Sequence, residues 1–149
     1  MVRKKKKISE KKLGKSSNGK DMHYSVGAII KKGDKYLLID RAIPPYGLAC
    51  PAGHVDEGEE KEEALIREIK EETGLKIESL KLVAEEELDW NWCSKGITVH
   101  YWYVFDCRVN GVIRKNGESK SINWYSKEEI MELKLEPSWE YWLKKLKVI

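Results

Sequence analysis

Residues 53–75 read GHVDEGEEKEEALIREIKEETGL. The spacing predicts a helix from Glu60 to Thr73, with acidic residues crowding its first turn, where they complement the positive end of the helix dipole. Leu65 and Ile69 stand i, i+4 and, with Ala64, form a narrow apolar stripe. Gly74 is placed to end the helix as its C′ residue. Glu68, Glu71 and Glu72 fall within about 100° of one another around the helix axis. Glu68 and Glu72 are an i, i+4 like-charge pair, which destabilises a bare helix. Arg67 offers one offsetting partner, and a hard divalent cation would be a stronger one. Acid clusters on Lys/Glu-rich helices are also common as plain solvated surface, so the acidic spacing by itself leaves both readings open.

The flanking residues narrow the choice. Gly53 is followed after five residues by Glu59, and after seven more by Arg67-Glu68-Ile69-Lys70-Glu71-Glu72-Thr73-Gly74-Leu75. This arrangement resembles the box of the Nudix hydrolase family at every defined position, with aliphatic residues at Ile69 and Leu75. The resemblance extends over about Tyr24 to Leu133: a hairpin ahead of the box, Arg41 after its second strand, and a strand holding Trp124 that leads into a Glu-rich helix.

The resemblance implies a loop-helix-loop that binds Mg²⁺ or Mn²⁺. Glu68 and Glu72 would be the main ligands, with Glu71 beside them, Glu59 in the loop and the Gly53 carbonyl joining the shell. Arg67 would orient the box carboxylates. The reaction implied is water attack on phosphorus in a nucleoside diphosphate linked to another group. Glu118, six residues before Trp124, matches a glutamate that often serves as base or ligand in the family, and it also suits a plain turn. Ser121 stands where a second acid is frequent, which leaves the number of metals open.

The substrate implied most simply is a nucleoside triphosphate, ribo or deoxy. ADP-ribose, a dinucleoside polyphosphate and an RNA 5′ end are alternatives. A non-catalytic nucleotide-binding module is a reading of another class, weakened because no box carboxylate is missing. The entry Pro51-Ala52-Gly53-His54 looks like that of small nucleotide phosphohydrolases, and Gly-His also occurs in dinucleoside polyphosphate hydrolases. Arg41 and His54 are candidate phosphate contacts; a surface ion pair and an ordinary strand residue are the alternative roles. Tyr46, Trp90 and Trp92 sit in loops suited to stacking a base, or filling gaps in a small core.

Working outward, Tyr24–Lys32 and Lys35–Asp40 read as strands joined at Gly33-Asp34. A short strand follows at Leu48–Ala52, and longer ones at Lys76–Glu87, Ile97–Val109 and Ser121–Tyr125. The strand from Ile97 puts Tyr101, Tyr103 and Phe105 on one face and His100 and Trp102 on the other, one of which is expected to be core. Ser126-Lys127-Glu128-Glu129 is a capping box for a helix to about Leu133, and a last helix follows Pro137. Strands and helices are mixed without strict alternation, so the expected fold is α+β, and the resemblance makes it an α/β/α sandwich with a mixed sheet.

At 149 residues, one domain over 22–149 is expected. Residues 1–21 hold nine Lys or Arg against two acids, while the other 128 hold 19 against 23. That basic stretch reads as a flexible tail, dispensable for small-nucleotide turnover, with weak nucleic-acid contact as its candidate role. No apolar run approaches the ~20 residues of a membrane span, and no secretory signal is evident, so a cytoplasmic setting is expected. A homodimer is compatible with these features. Cys50, Cys93 and Cys107 match no zinc spacing and read as buried small hydrophobes or stray thiols.

Overall fold

Strand β2 (Asp21–Lys32) is buried almost end to end, because both of its faces are covered. The computed structural model describes residues 10–93 and 95–149. The remaining elements in chain order are β1 (Leu13–Lys15), β3 (Lys35–Arg41), β4 (Leu48–Ala49), β5 (Ala52–His54), α1 (Lys61–Thr73), β6 (Lys76–Leu88), β7 (Val99–Asn110), β8 (Ser119–Ser126), α2 (Lys127–Glu132) and α3 (Pro137–Lys145). Strand β2 pairs in parallel with β7 and antiparallel with β1 and β5. β6 extends this sheet beyond β7. At its far end β2 meets β3 for two residue pairs, Lys31↔Tyr36 and Lys32↔Lys35. The hairpin is therefore short, and β3 instead spends its length against β8, with β4 on its other side.

Alternation along the strands divides the core into two layers. Val26, Ala28, Ile30, Leu37 and Phe105 face α1 and meet Ala64, Leu65 and Ile69. Ile29, Leu38, Trp102 and Val104 face the opposite way and meet Ile130, Trp139, Trp142 and Leu143 of α2 and α3. The mixed sheet lies between helices, the α+β sandwich expected. It also means that both faces of β7 are core, not one: burying a sheet on both sides requires apolar residues at odd and even positions alike. Gly27 makes the close packing of α3 feasible, since a Cβ there would collide with the Trp139 indole.

Helix α1 begins where the Glu63 side chain accepts a hydrogen bond from the Glu60 amide at 3.0 Å. It stops at Gly74, whose φ of 76° is left-handed and whose N–H bonds the Lys70 carbonyl. Helix α3 starts at Pro137 with the Glu136 carboxylate accepting from the amides of Ser138 and Trp139.

Residues 10–21 are built into the fold, a correction to the expectation of a loose tail up to residue 21. Leu13–Lys15 pairs with Asp21–His23, and the Lys12 amide bonds the Val55 carbonyl at 2.9 Å. The Glu57 amide bonds the Glu10 carbonyl, Lys11 ion-pairs with Asp56 at 3.0 Å, and Ser17 donates twice to Glu87. The open edge of β2 draws the strand in; its polar backbone gains partners without needing apolar side chains, so the composition of the segment does not reveal it. The basic run of residues 3–7 lies outside the described residues. Among the described residues, no helix is long and apolar enough to cross a membrane.

Candidate active site

The pairing of β5 with β2 (Gly53 opposite Val26, Ala52 opposite Gly27) fixes the backbone at the start of the box. Helix α1 then returns over it and lays Glu68 directly on Gly53. A Cβ at position 53 would occupy the space of the Glu68 carboxylate. One turn further, the Glu72 carboxylate accepts a hydrogen bond from the Ala52 amide at 2.9 Å. Both box glutamates are thus held against the same short strand.

Arg67 organises the carboxylates around them. Its Nε and Nη2 bind both oxygens of Glu59 at 2.8 Å, its Nη1 binds Glu68 at 2.7 Å, and Nη2 also donates to the His54 carbonyl at 3.0 Å. A fork of this shape is what guanidinium can offer and ammonium cannot. Glu71 lies at the margin, 3.4 Å from Arg67 and with 54% of its side chain exposed. Glu59 closes the loop by accepting from the Asp56 amide at 2.8 Å. Asp56, which the sequence reading did not single out, is buried between Lys11 and Arg67 (3.0 and 3.4 Å). Its place was hidden because its main partner lies 45 residues away.

These surroundings set the charge states. Burial raises the Glu68 carboxyl above the usual carboxylate range, against the opposing pull of the Arg67 hydrogen bond and charge. Glu72 is raised much further, by burial first and then by the negative charge of Glu68, with Glu118 adding to it. Glu72 retains a little accessible surface, yet protein surrounds its carboxyl on nearly every side. The Arg67 hydrogen bond holds Glu59 below its ordinary value. Two repelling, half-buried carboxyls with only partial neutralisation form a set of hard oxygen donors suited to a divalent cation. Among the described residues, the only His/Cys/Asp/Glu group of three or more with ligand atoms within 4.8 Å does not include the box glutamates.

Arg41, Gly53, His54 and Trp92 line one cleft, together with Pro45 and Trp102. Arg41 is turned onto its own loop, its Nε donating to the Pro45 carbonyl at 2.8 Å, and its charge still reaches Glu72. Glu118 is exposed and acts on Glu72 through charge; its carbonyl accepts from the Ala42 amide, which places it beside the Arg41 loop. Tyr46 and Trp90 are not brought to the cleft lining. Lys120 sits over the Tyr46 ring at 5.4 Å, and Trp90 packs edge-on against Tyr141 at 5.6 Å. His54 is held neutral by burial and by its neighbours His100 and His23, its pKa pushed down to about 3. That convergence of histidines is invisible in sequence, because it depends on strand register.

The comparisons with known proteins agree with this geometry. A family model of the NUDIX domain matches residues 21–146. The chain is 32% identical over 101 residues to the mouse bis(5′-nucleosyl)-tetraphosphatase [asymmetrical], covering 66% of this chain and 69% of that protein. It is 33% identical over 114 residues to the ADP-ribose pyrophosphatase of Methanocaldococcus jannaschii, covering 73% and 64% respectively. Among solved structures, the NUDIX hydrolase from Nitrosomonas europaea superposes with a TM-score of 0.64 at 28% identity, covering 78% of each chain. A sandwich of this topology with an intact box defines a class, and the chain belongs to the Nudix hydrolase family. The matched region includes α3, so the resemblance runs past Leu133, where the sequence reading had placed its end.

Proposed function

We propose that the chain hydrolyses a phosphoanhydride bond in a nucleoside diphosphate joined to another group, with Mg²⁺ or Mn²⁺ as cofactor. The observation that carries this is the seating of Glu68 and Glu72, two half-buried carboxyls, on Gly53 and Ala52, which themselves line a cleft. Glu68, Glu72 and the Gly53 carbonyl would hold the ion, with Glu71 and Glu59 at its margin. When bound, the ion supplies charge neutralisation on the phosphates and a more acidic water. Arg67 fixes the orientation of Glu68 and Glu59. Arg41, released from the Pro45 carbonyl, would bind phosphate, His54 would line the phosphate path as a neutral ring, and Trp92 would stack on a base. Glu118 is exposed and within electrostatic reach of Glu72, as a base or an outer ligand must be.

The similar proteins act on different compounds by their names, a dinucleoside tetraphosphate and ADP-ribose, and both carry the diphosphate linkage proposed here. A nucleoside triphosphate is the simplest molecule with that linkage. The test is a panel of nucleoside triphosphates, dinucleoside polyphosphates, ADP-ribose and 5′-triphosphate RNA, with Mg²⁺ and product identification. Turnover of at least one compound, with cleavage between phosphates, is expected. No turnover across the panel, alongside retained nucleotide binding, would overturn the assignment in favour of a binding module.

A further inference from the structure

All three histidines of the chain meet in one place. They arrive from three strands: His23 from β2, His54 from β5 and His100 from β7. The parallel register sets His23 directly opposite His100, and the β5 register sets His54 opposite Ser25 on the other flank of β2. Ring centroids lie 5.0 Å apart for His23 and His54, 5.5 Å for His54 and His100, and 5.9 Å for His23 and His100. Cys93, on the loop between β6 and β7, is the fourth member. One candidate ligand atom from each of the four residues lies within 4.8 Å of all the others.

The hydrolase chemistry proposed above draws on His54 alone and leaves His23, His100 and Cys93 without a role. His23 and His100 are buried, and His23 Nδ1 and both ring nitrogens of His100 make no hydrogen bond of acceptable geometry. Such groups are costly to enclose without partners. Burial drives the His100 ring toward its neutral form, and the Asn91 main chain beside it pulls the other way. Asn91 is itself held, its side chain accepting from the Trp102 indole N–H at 2.6 Å. It is therefore in position to receive an outward ring N–H of a metal-bound His100, as carbonyls commonly do beside ligating imidazoles.

We propose that His23, His54, His100 and Cys93 form a structural zinc site, distinct from the carboxylate site on α1. Three neutral imidazoles and one thiolate are the donors a borderline-soft ion selects, whereas Mg²⁺ demands oxygen. Bonds of about 2.0–2.3 Å put tetrahedral ligand atoms about 3.3–3.8 Å apart, so closure needs a shift of roughly 1 Å. With four protein ligands the site is closed, and binding releases the Cys93 thiol proton to solvent. Its effect is mechanical. It staples the loop after β6, which carries Trp92, to three strands at the wall of the cleft, which His54, His100 and Cys93 themselves line.

The test uses the full chain, stripped with chelator and then titrated with Zn²⁺ against a chromophoric competitor, and separately with Co²⁺. One equivalent of Zn²⁺ should bind and resist excess Mg²⁺. Co²⁺ should give the intense visible bands of a tetrahedral site and a thiolate charge-transfer band. Cys93→Ser should remove that band and weaken Zn²⁺ at least tenfold, with the melting curve of the stripped protein unchanged. Zn²⁺ should also slow tryptic cleavage after the exposed Lys95. Glu72→Gln should still take up zinc, which separates this site from the hydrolytic one. A weak octahedral Co²⁺ spectrum, or Zn²⁺ uptake lost in Glu72→Gln and kept in Cys93→Ser, would overturn the proposal, and the unmutated chain alone suffices for the spectrum.

Discussion

Gly53 and Glu68 divide one space between them. The carboxylate lies where a side chain at position 53 would be, so the smallest possible substitution there acts on Glu68. Gly53→Ala should cut kcat/KM at least about 10²-fold, roughly 3 kcal/mol of transition-state stabilisation, with the melting temperature little changed. Steady-state kinetics beside a thermal melt measure both, and near-normal turnover would show that Glu68 is free to move without loss. Glu72 makes a prediction about pH. Its folded pKa is raised, so in the metal-free chain its contribution to stability is complete below the unfolded carboxyl value and is lost as pH rises through the folded one. A divalent ion needs the ionised form, so Mn²⁺ affinity should climb as pH rises above the ordinary carboxylate range. Free Mn²⁺ followed by electron paramagnetic resonance tests this, and Glu72→Gln should flatten the slope.

At the scale of elements, β1 and the box loop depend on each other. The Lys11–Asp56 pair and the amides of Lys12 and Glu57 tie residues 10–15 to the loop from which Arg67 draws two of its partners. Removing residues 1–9 should leave turnover within about twofold. Removing residues 1–21 should expose the edge of β2, free Asp56, and lower both stability and turnover. Equal activity of the two truncations would mean that the strand is ornamental to the site. Helix α3 reaches across the sheet in a similar way, since Trp139 sits over Gly27 and against Trp102 at the wall of the cleft. Gly27→Ala forces that indole out of its slot and should destabilise the chain by about 1–3 kcal/mol in chemical denaturation. An unchanged midpoint would show that α3 can slide to make room.

Taken whole, the molecule holds two chemically different clusters on either side of the same strand pair. Glutamates above Gly53 offer hard oxygens, and histidines around His54 offer nitrogen. Local rules account for much of this in advance. The helix over Glu60–Thr73, its glycine stop and the Arg67–Glu71 pair follow from spacing along the chain, because helix periodicity and caps act over a few residues. The family, too, was legible in nine positions within one stretch. What only the tertiary structure decided are contacts between distant segments. Asp56 meeting Lys11, the union of His23, His54, His100 and Cys93, the capture of Leu13–Lys15, and the placement of Trp92 but not Trp90 at the cleft all turn on which strands pair and in what register. A shift of one residue in that register would send every side chain to the opposite face, and no local pattern in the sequence records it.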